Sequence, residues 1–184
     1  MALTPCPGCG ARFPPFDGPT HRYVGASAAC WALFNWSLAN GGTELTDLVA
    51  QSRVPDIVSI PAHNDALPLD SLFGDAYGVQ HHGDDSPQAI QSVAVHLLNL
   101  HGIISGNPTR PGWAIARALR TRGVFRKLDP PALGSALTYR HLFPGGGVVT
   151  PVTRSQYVVS VYEAWMALHR QTVEDWYVRF VVPD

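Results

Sequence analysis

Every thiol of this 184-residue chain lies in one stretch, CPGCGARFPPFDGPTHRYVGASAACW, as Cys6, Cys9 and Cys30. Nothing else in the sequence restricts the fold as much. A Cys-x-x-Cys pair followed by Gly10 predicts a knuckle turn that aims both sulfurs at one point, with Gly where amides crowd the thiolates. Three cysteines cannot all pair within one chain, and a disulfide framework is not expected in a reducing compartment. A metal ion of zinc type takes about four such donors. Cys30 supplies a third at the predicted first turn of a helix, where the N-terminal dipole favours a thiolate. The fourth is expected to be a histidine, drawn from His21, His81, His82 and His96. His81 is preferred, with His21 as the alternative. Three unrelated buried thiols and a Cys6–Cys9 redox couple are the competing readings. The first fits poorly with two cysteines in a Pro/Gly-rich arm. The second normally needs a βαβ setting that this arm lacks.

Beyond the arm the texture becomes helical. Ser27 reads as an N-cap for AACWALFNWSLAN, with Ala28, Trp31, Phe34 and Leu38 at core-facing spacing and Gly41-Gly42 as the stop. TELTDLVAQSR (43–53) reads as a short helix, and the proline-bearing stretch after it as a loop. A helix is expected from about Leu69 to Gly83. Another should start at Ser86 as N-cap with Pro87 at its first position, burying Ile90, Val93, Leu97, Leu100 and Ile104. RPGWAIARALRTRG predicts a further helix, and 124–153 an ordered loop with a turn of helix. The closing segment spaces Val158, Val161, Trp165, Leu168 and Trp176 as a helix would, with some strand tendency near its ends. The expected fold is all-α, one domain over 1–184: an irregular metal-binding arm at 1–26 and a helical bundle at 27–184.

A hydrophobic fraction of 46% over this length allows a substantial core, and a net charge of -1 makes no basic field for nucleic acid. The apolar runs are shorter than the ~20 residues of a membrane span. Pro5 and Cys6 follow the start so closely that no secretory leader is visible, and a cytoplasmic location is expected. Asp70, Tyr77 and His81, spaced seven and four apart, share one helical face. With Gln88, His96 and Asn99 of the next helix they form a polar strip, suited either to a ligand pocket or to interhelical hydrogen bonds. For His96 alone, a structural hydrogen bond is the expected role.

The segments CPGCG, DGPTHRYVGASAACWALF, DAYGVQHH and AIQSVAVHLLNL together resemble the DUF5946 family of bacterial proteins, over roughly residues 4–104. The resemblance implies a Cys-x-x-Cys-Gly start at Cys6 and Cys9, a later Cys opening a helix at Cys30, and a Tyr-x-x-Gln-His segment at Tyr77, Gln80 and His81. His82 stands where the family usually has Pro, and Asp70 where an upstream His often opens the second helix. The family carries no assigned activity, so the resemblance adds only to the metal reading.

Three functions follow as alternatives. One is a structural zinc protein in which Cys6, Cys9, Cys30 and His81 pin the arm to the bundle, whose helices bind an unidentified small molecule or protein partner. Another is a zinc enzyme with an open metal position and Asp70, Tyr77 or His96 as acid/base or orienting groups. The third is a binding module whose chemistry uses no metal.

Overall fold

Ser27 caps the first helix as its position predicts: its hydroxyl accepts the Cys30 amide N–H at 3.2 Å, which places Cys30 in the first turn of α1 (Ala28–Asn40). The structure, a computed structural model, describes residues 2–40, 69, 72–106, 125–143 and 152–182. Among these residues the chain is mostly helical. α2 spans Phe73–Gln80, α3 Pro87–Ile104 and α4 Arg154–Phe180, with a 3-10 turn at Tyr139–Leu142. The expected helices at 43–53 and in RPGWAIARALRTRG, the Gly41-Gly42 stop and the loop between 54 and 68 lie outside the described residues.

Each cap has a local cause. Ser86 accepts the Ala89 N–H, and Pro87 at the first position of α3 sacrifices no helical donor. Thr153 and Gln156 close a reciprocal capping box at the start of α4. That box and continuous i to i−4 bonding carry α4 as a single helix of 27 residues, so the strand tendency near its ends is not realised. The α-helical geometry of α2 runs from Phe73 to Gln80, with 3-10 geometry at Leu69 and Leu72 before it, and it ends short of the expected Gly83.

Helices α2, α3 and α4 each pack against the other two, and α1 meets the 3-10 turn. Their shared core holds Ala76 and Val79 of α2, Leu97, Leu98 and Leu100 of α3, and Val158, Val161 and Trp165 of α4. Two predicted core positions face outward instead, Leu38 at 53% exposed and Leu168 at 58%. Each sits where its helix face turns away from its neighbours.

The arm departs most from expectation. Thr4–Pro5 (β1) and Arg12–Phe13 (β2) pair antiparallel, Thr4 opposite Phe13, around a loop that carries both knuckle cysteines. Cys6, Ala11 and Phe13 belong to the main core rather than to a solvated arm. Farther along, Val24 bridges to His82, and the Gly25 N–H donates to the His81 carbonyl at 2.9 Å. The arm is stitched by main-chain bonds to the end of α2.

Candidate metal centre

Three segments converge on one point. The hairpin loop supplies Cys6 and Cys9, the first turn of α1 supplies Cys30, and the residue capping the C-terminus of α2 is His81. Their ligand atoms, three Sγ and one ring nitrogen, lie within 4.8 Å of one another, and all four residues are buried. Cys9 Sγ is 4.0 Å from Cys30 Sγ, and Cys30 Sγ is 3.3 Å from His81 Nε2. The four donors are placed to hold a metal ion.

The loop geometry explains the spacing of the motif. Cys6 N–H donates to the Ala11 carbonyl and Gly10 N–H to the Cys6 carbonyl, both at 2.8 Å. Closing that turn puts Gly10 at φ 77, a conformation that glycine adopts without a Cβ penalty. Gly8 has a different reason to be glycine. A Cβ there would lie 2.7 Å from His81 Cδ2 and 2.8 Å from the Gly25 carbonyl oxygen, so any side chain would push the knuckle away from the histidine.

Polar groups around the donors orient them. His81 Nδ1 lies 2.9 Å from the Tyr77 carbonyl, one helical turn back. A carbonyl only accepts, so Nδ1 carries the proton and Nε2 presents its lone pair to the sulfurs. Tyr77 does more: its ring stacks on His81 at 3.9 Å, and its hydroxyl donates to Cys30 Sγ at 3.7 Å. The Ser27 amide donates to Cys6 Sγ at 3.4 Å. Hydrogen bonds from the Cys30 and Cys9 thiols hold the Cys6 thiol far below its ordinary range, while burial pushes those of Cys9 and Cys30 well up. Burial, reinforced by the neighbouring sulfurs, also pushes the Tyr77 phenol up, so it stays a donor.

The other histidines lie elsewhere. His21 is exposed, stacks near Trp31 at 5.1 Å and accepts the Tyr23 amide at Nδ1, so the alternative fourth donor is not part of the cluster. His82 points to Trp165, and its buried Nδ1 has no hydrogen-bond partner among the described residues. His96 Nδ1 lies 2.6 Å from Asp75 Oδ1, the interhelical bond expected for it. Asp70 lies outside the described residues. Sequence reasoning misses Asp75, whose partners His96 and Asn99 lie on the next helix, beyond the reach of local spacing. Gln80 is placed by resemblance alone. Its amide donates to the Leu137 carbonyl at 2.6 Å and accepts from the Tyr157 hydroxyl at 3.0 Å, tying α2 to α4 beside the cluster.

Among the described residues no helix is long and apolar enough to cross a membrane. No protein-family model, no curated protein and no solved structure matches the chain.

Proposed function

We propose that this chain is a zinc protein whose metal site is structural and fastens the N-terminal arm to the helices. The observation that carries the reading is the convergence of Cys6, Cys9, Cys30 and His81 from three segments into one buried group. The donor chemistry fits zinc. Bonds of about 2.3 Å to sulfur and 2.0–2.1 Å to nitrogen imply tetrahedron edges of about 3.8 Å for S···S and 3.6 Å for S···N. The 4.0 Å Cys9–Cys30 and 3.3 Å Cys30–His81 separations lie within about 0.3 Å of those edges, and all four donor atoms lie within 4.8 Å of one another. Zinc in this position would neutralise three thiolates that burial otherwise penalises, and its binding free energy would be realised as folding free energy of residues 2–30.

Four donors and their burial favour a closed site over one with an open water position. Of the acid/base groups of the enzyme reading, the Tyr77 hydroxyl is committed to Cys30 Sγ and His96 Nδ1 to Asp75. The resemblance to the DUF5946 family agrees, since Cys6, Cys9, Cys30, Tyr77, Gln80 and His81 carry it. A cytoplasmic location suits three reduced thiols, and the helices remain available for a small molecule or protein partner.

Elemental analysis of protein purified without a histidine tag tests the reading, together with X-ray absorption at the zinc edge. About one zinc per chain, in a shell of three sulfurs and one nitrogen, is the expected result. Zinc-free protein with three freely reactive thiols would overturn it, and a bound water in the first shell would move the assignment to an enzyme.

A further inference from the structure

Gln88 and His96, two of the three polar residues that the sequence places on α3, line a cleft of about 290 Å³ between that helix and the arm. This is close to the lower end of the volumes that hold small molecules, roughly 300–1,000 Å³. Gln88, Ser92 and His96, four residues apart, form one wall with Gln91 beside them, and the opposite wall carries His21 and Tyr23. Among the described lining residues none is Asp, Glu, Lys or Arg.

His96 is prepared as an acceptor. Asp75 Oδ1 accepts a hydrogen bond from His96 Nδ1–H at 2.6 Å, and Asp75 Oδ2 accepts from Asn99 Nδ2 at 2.8 Å, so both carboxylate oxygens are engaged. The tautomer is thereby set with the lone pair on Nε2, which has no hydrogen-bond partner among the described residues. The side chain is 32% exposed. Its position depends on Gly78 of α2, where a Cβ would lie 2.9 Å from His96 Cδ2 and 3.0 Å from Nε2. Glycine at that turn lets the imidazole lie flat against the helix.

The facing wall supplies flat surfaces. The Tyr23 and His21 rings meet edge to face at 6.1 Å, and the Arg22 guanidinium covers one face of the Tyr23 ring, 5.2 Å from its centroid. Side-chain amides offer a paired donor and acceptor, the pattern that reads the edge of a nucleobase, and aromatic side chains stack on its face. We propose that this cleft binds a small, flat, uncharged nitrogen heterocycle of nucleobase type. Its ring lies along the face of Tyr23 opposite Arg22, its donor–acceptor edge meets Gln88 and Gln91, and a ring N–H donates to His96 Nε2. The inference goes beyond the zinc reading and stands without it, because main-chain bonds of Val24 and Gly25 also hold the arm wall in place.

Adenine, uracil and benzimidazole are the probes, titrated into the full chain as purified, with calorimetry and ¹⁵N NMR of the histidine rings and Gln side chains. At least one should bind saturably at about 1 mM or tighter, within reach of a ligand of about ten heavy atoms. It should shift His96 Nε2 and the Gln88 and Gln91 amides. His96→Gln keeps a polar side chain but loses the imidazole acceptor, and Gly78→Ala keeps α2 helical while displacing the ring. Each should weaken binding about five- to tenfold, the range for one lost hydrogen bond. No binding by any of the three probes would overturn the proposal. So would equal affinity in both variants, or shifts confined to residues outside the arm and α3.

Discussion

Tyr77 holds His81 twice over: its carbonyl accepts the Nδ1 proton at 2.9 Å, and its ring stacks on the imidazole at 3.9 Å. The same residue's hydroxyl reaches Cys30 Sγ at 3.7 Å, so one side chain touches donors from two segments. Outer partners of this kind tune metal affinity by about 10–100-fold. Tyr77→Phe keeps the stack and the carbonyl and removes only the bond to sulfur. It should weaken zinc about tenfold and, because metal binding contributes to folding, lower the melting temperature by about 3–6 °C. Chelator competition measures this, and unchanged affinity would leave the hydroxyl without a role at the metal.

His81→Ala and His96→Ala separate the metal site from the interhelical bond. Removing His81 leaves three sulfurs and an open position, and zinc affinity should fall by more than the roughly hundredfold upper range for an outer partner. Removing His96 should leave zinc in place and cost about 1 kcal/mol, since Asn99 still bonds Asp75. Zinc content and urea unfolding of both variants provide the comparison. Loss of metal from His96→Ala alone would reverse the assignment.

Cys9→Ser tests whether the metal fastens the arm. Metal binding contributes to folding, so the variant should lose about 2 kcal/mol or more, or about 4–8 °C in melting temperature for a chain of this size. Limited proteolysis should then cut first within residues 2–26. Identical melting and digestion would separate the arm's stability from the cysteines.

Gly8→Ala places a methyl group where His81 Cδ2 and the Gly25 carbonyl already stand, at 2.7 and 2.8 Å. The carbonyl is backbone and cannot yield cheaply. The substitution should cost about 1–3 kcal/mol, the usual range for overpacking, and weaken zinc in parallel. A variant as stable as the parent would mean that the knuckle does not press on His81 in solution.

His101 predicts an acid-side weakness away from the metal. Its Nδ1 lies 2.9 Å from the Tyr162 hydroxyl and its ring packs on Tyr177, while Glu174 and Arg170 act on it with opposite sign. Burial is the largest influence and lowers its pKa below the ordinary 6.5. The unfolded chain therefore takes up the proton first. The contribution is fully present above about pH 6.5 and is lost as pH falls toward the folded-state value. His101→Gln should flatten the slope of unfolding free energy between about pH 7.5 and 5.5. A slope as steep as the parent's would place the acid sensitivity in other groups.

Much of the site was legible because its rules are short-range. A Cys-x-x-Cys-Gly turn, a serine three residues before Cys30 and a Ser-Pro start at residues 86–87 act within one turn of chain, and each is found where its spacing put it. His81 is preferred to its rivals for its place at a helix end, and it caps α2. The outward turn of Leu38 and Leu168 was not legible, because periodicity marks a face without saying whether another element covers it.

What the sequence determined by itself was a cluster of three thiols with a few histidines able to complete it, the helical character and a net charge of -1, all consequences of residue type and local spacing. The tertiary structure decided which donors meet. Cys30 and His81 are 51 residues apart, and only the packing of the arm against the end of α2 closes that distance to 3.3 Å. It also decided that the arm enters the core, that Gly8 must lack a side chain, and that His96 turns to Asp75 and the cleft. Contacts of this kind depend on loop closure and steric fit between distant segments, which residue spacing along the chain does not encode.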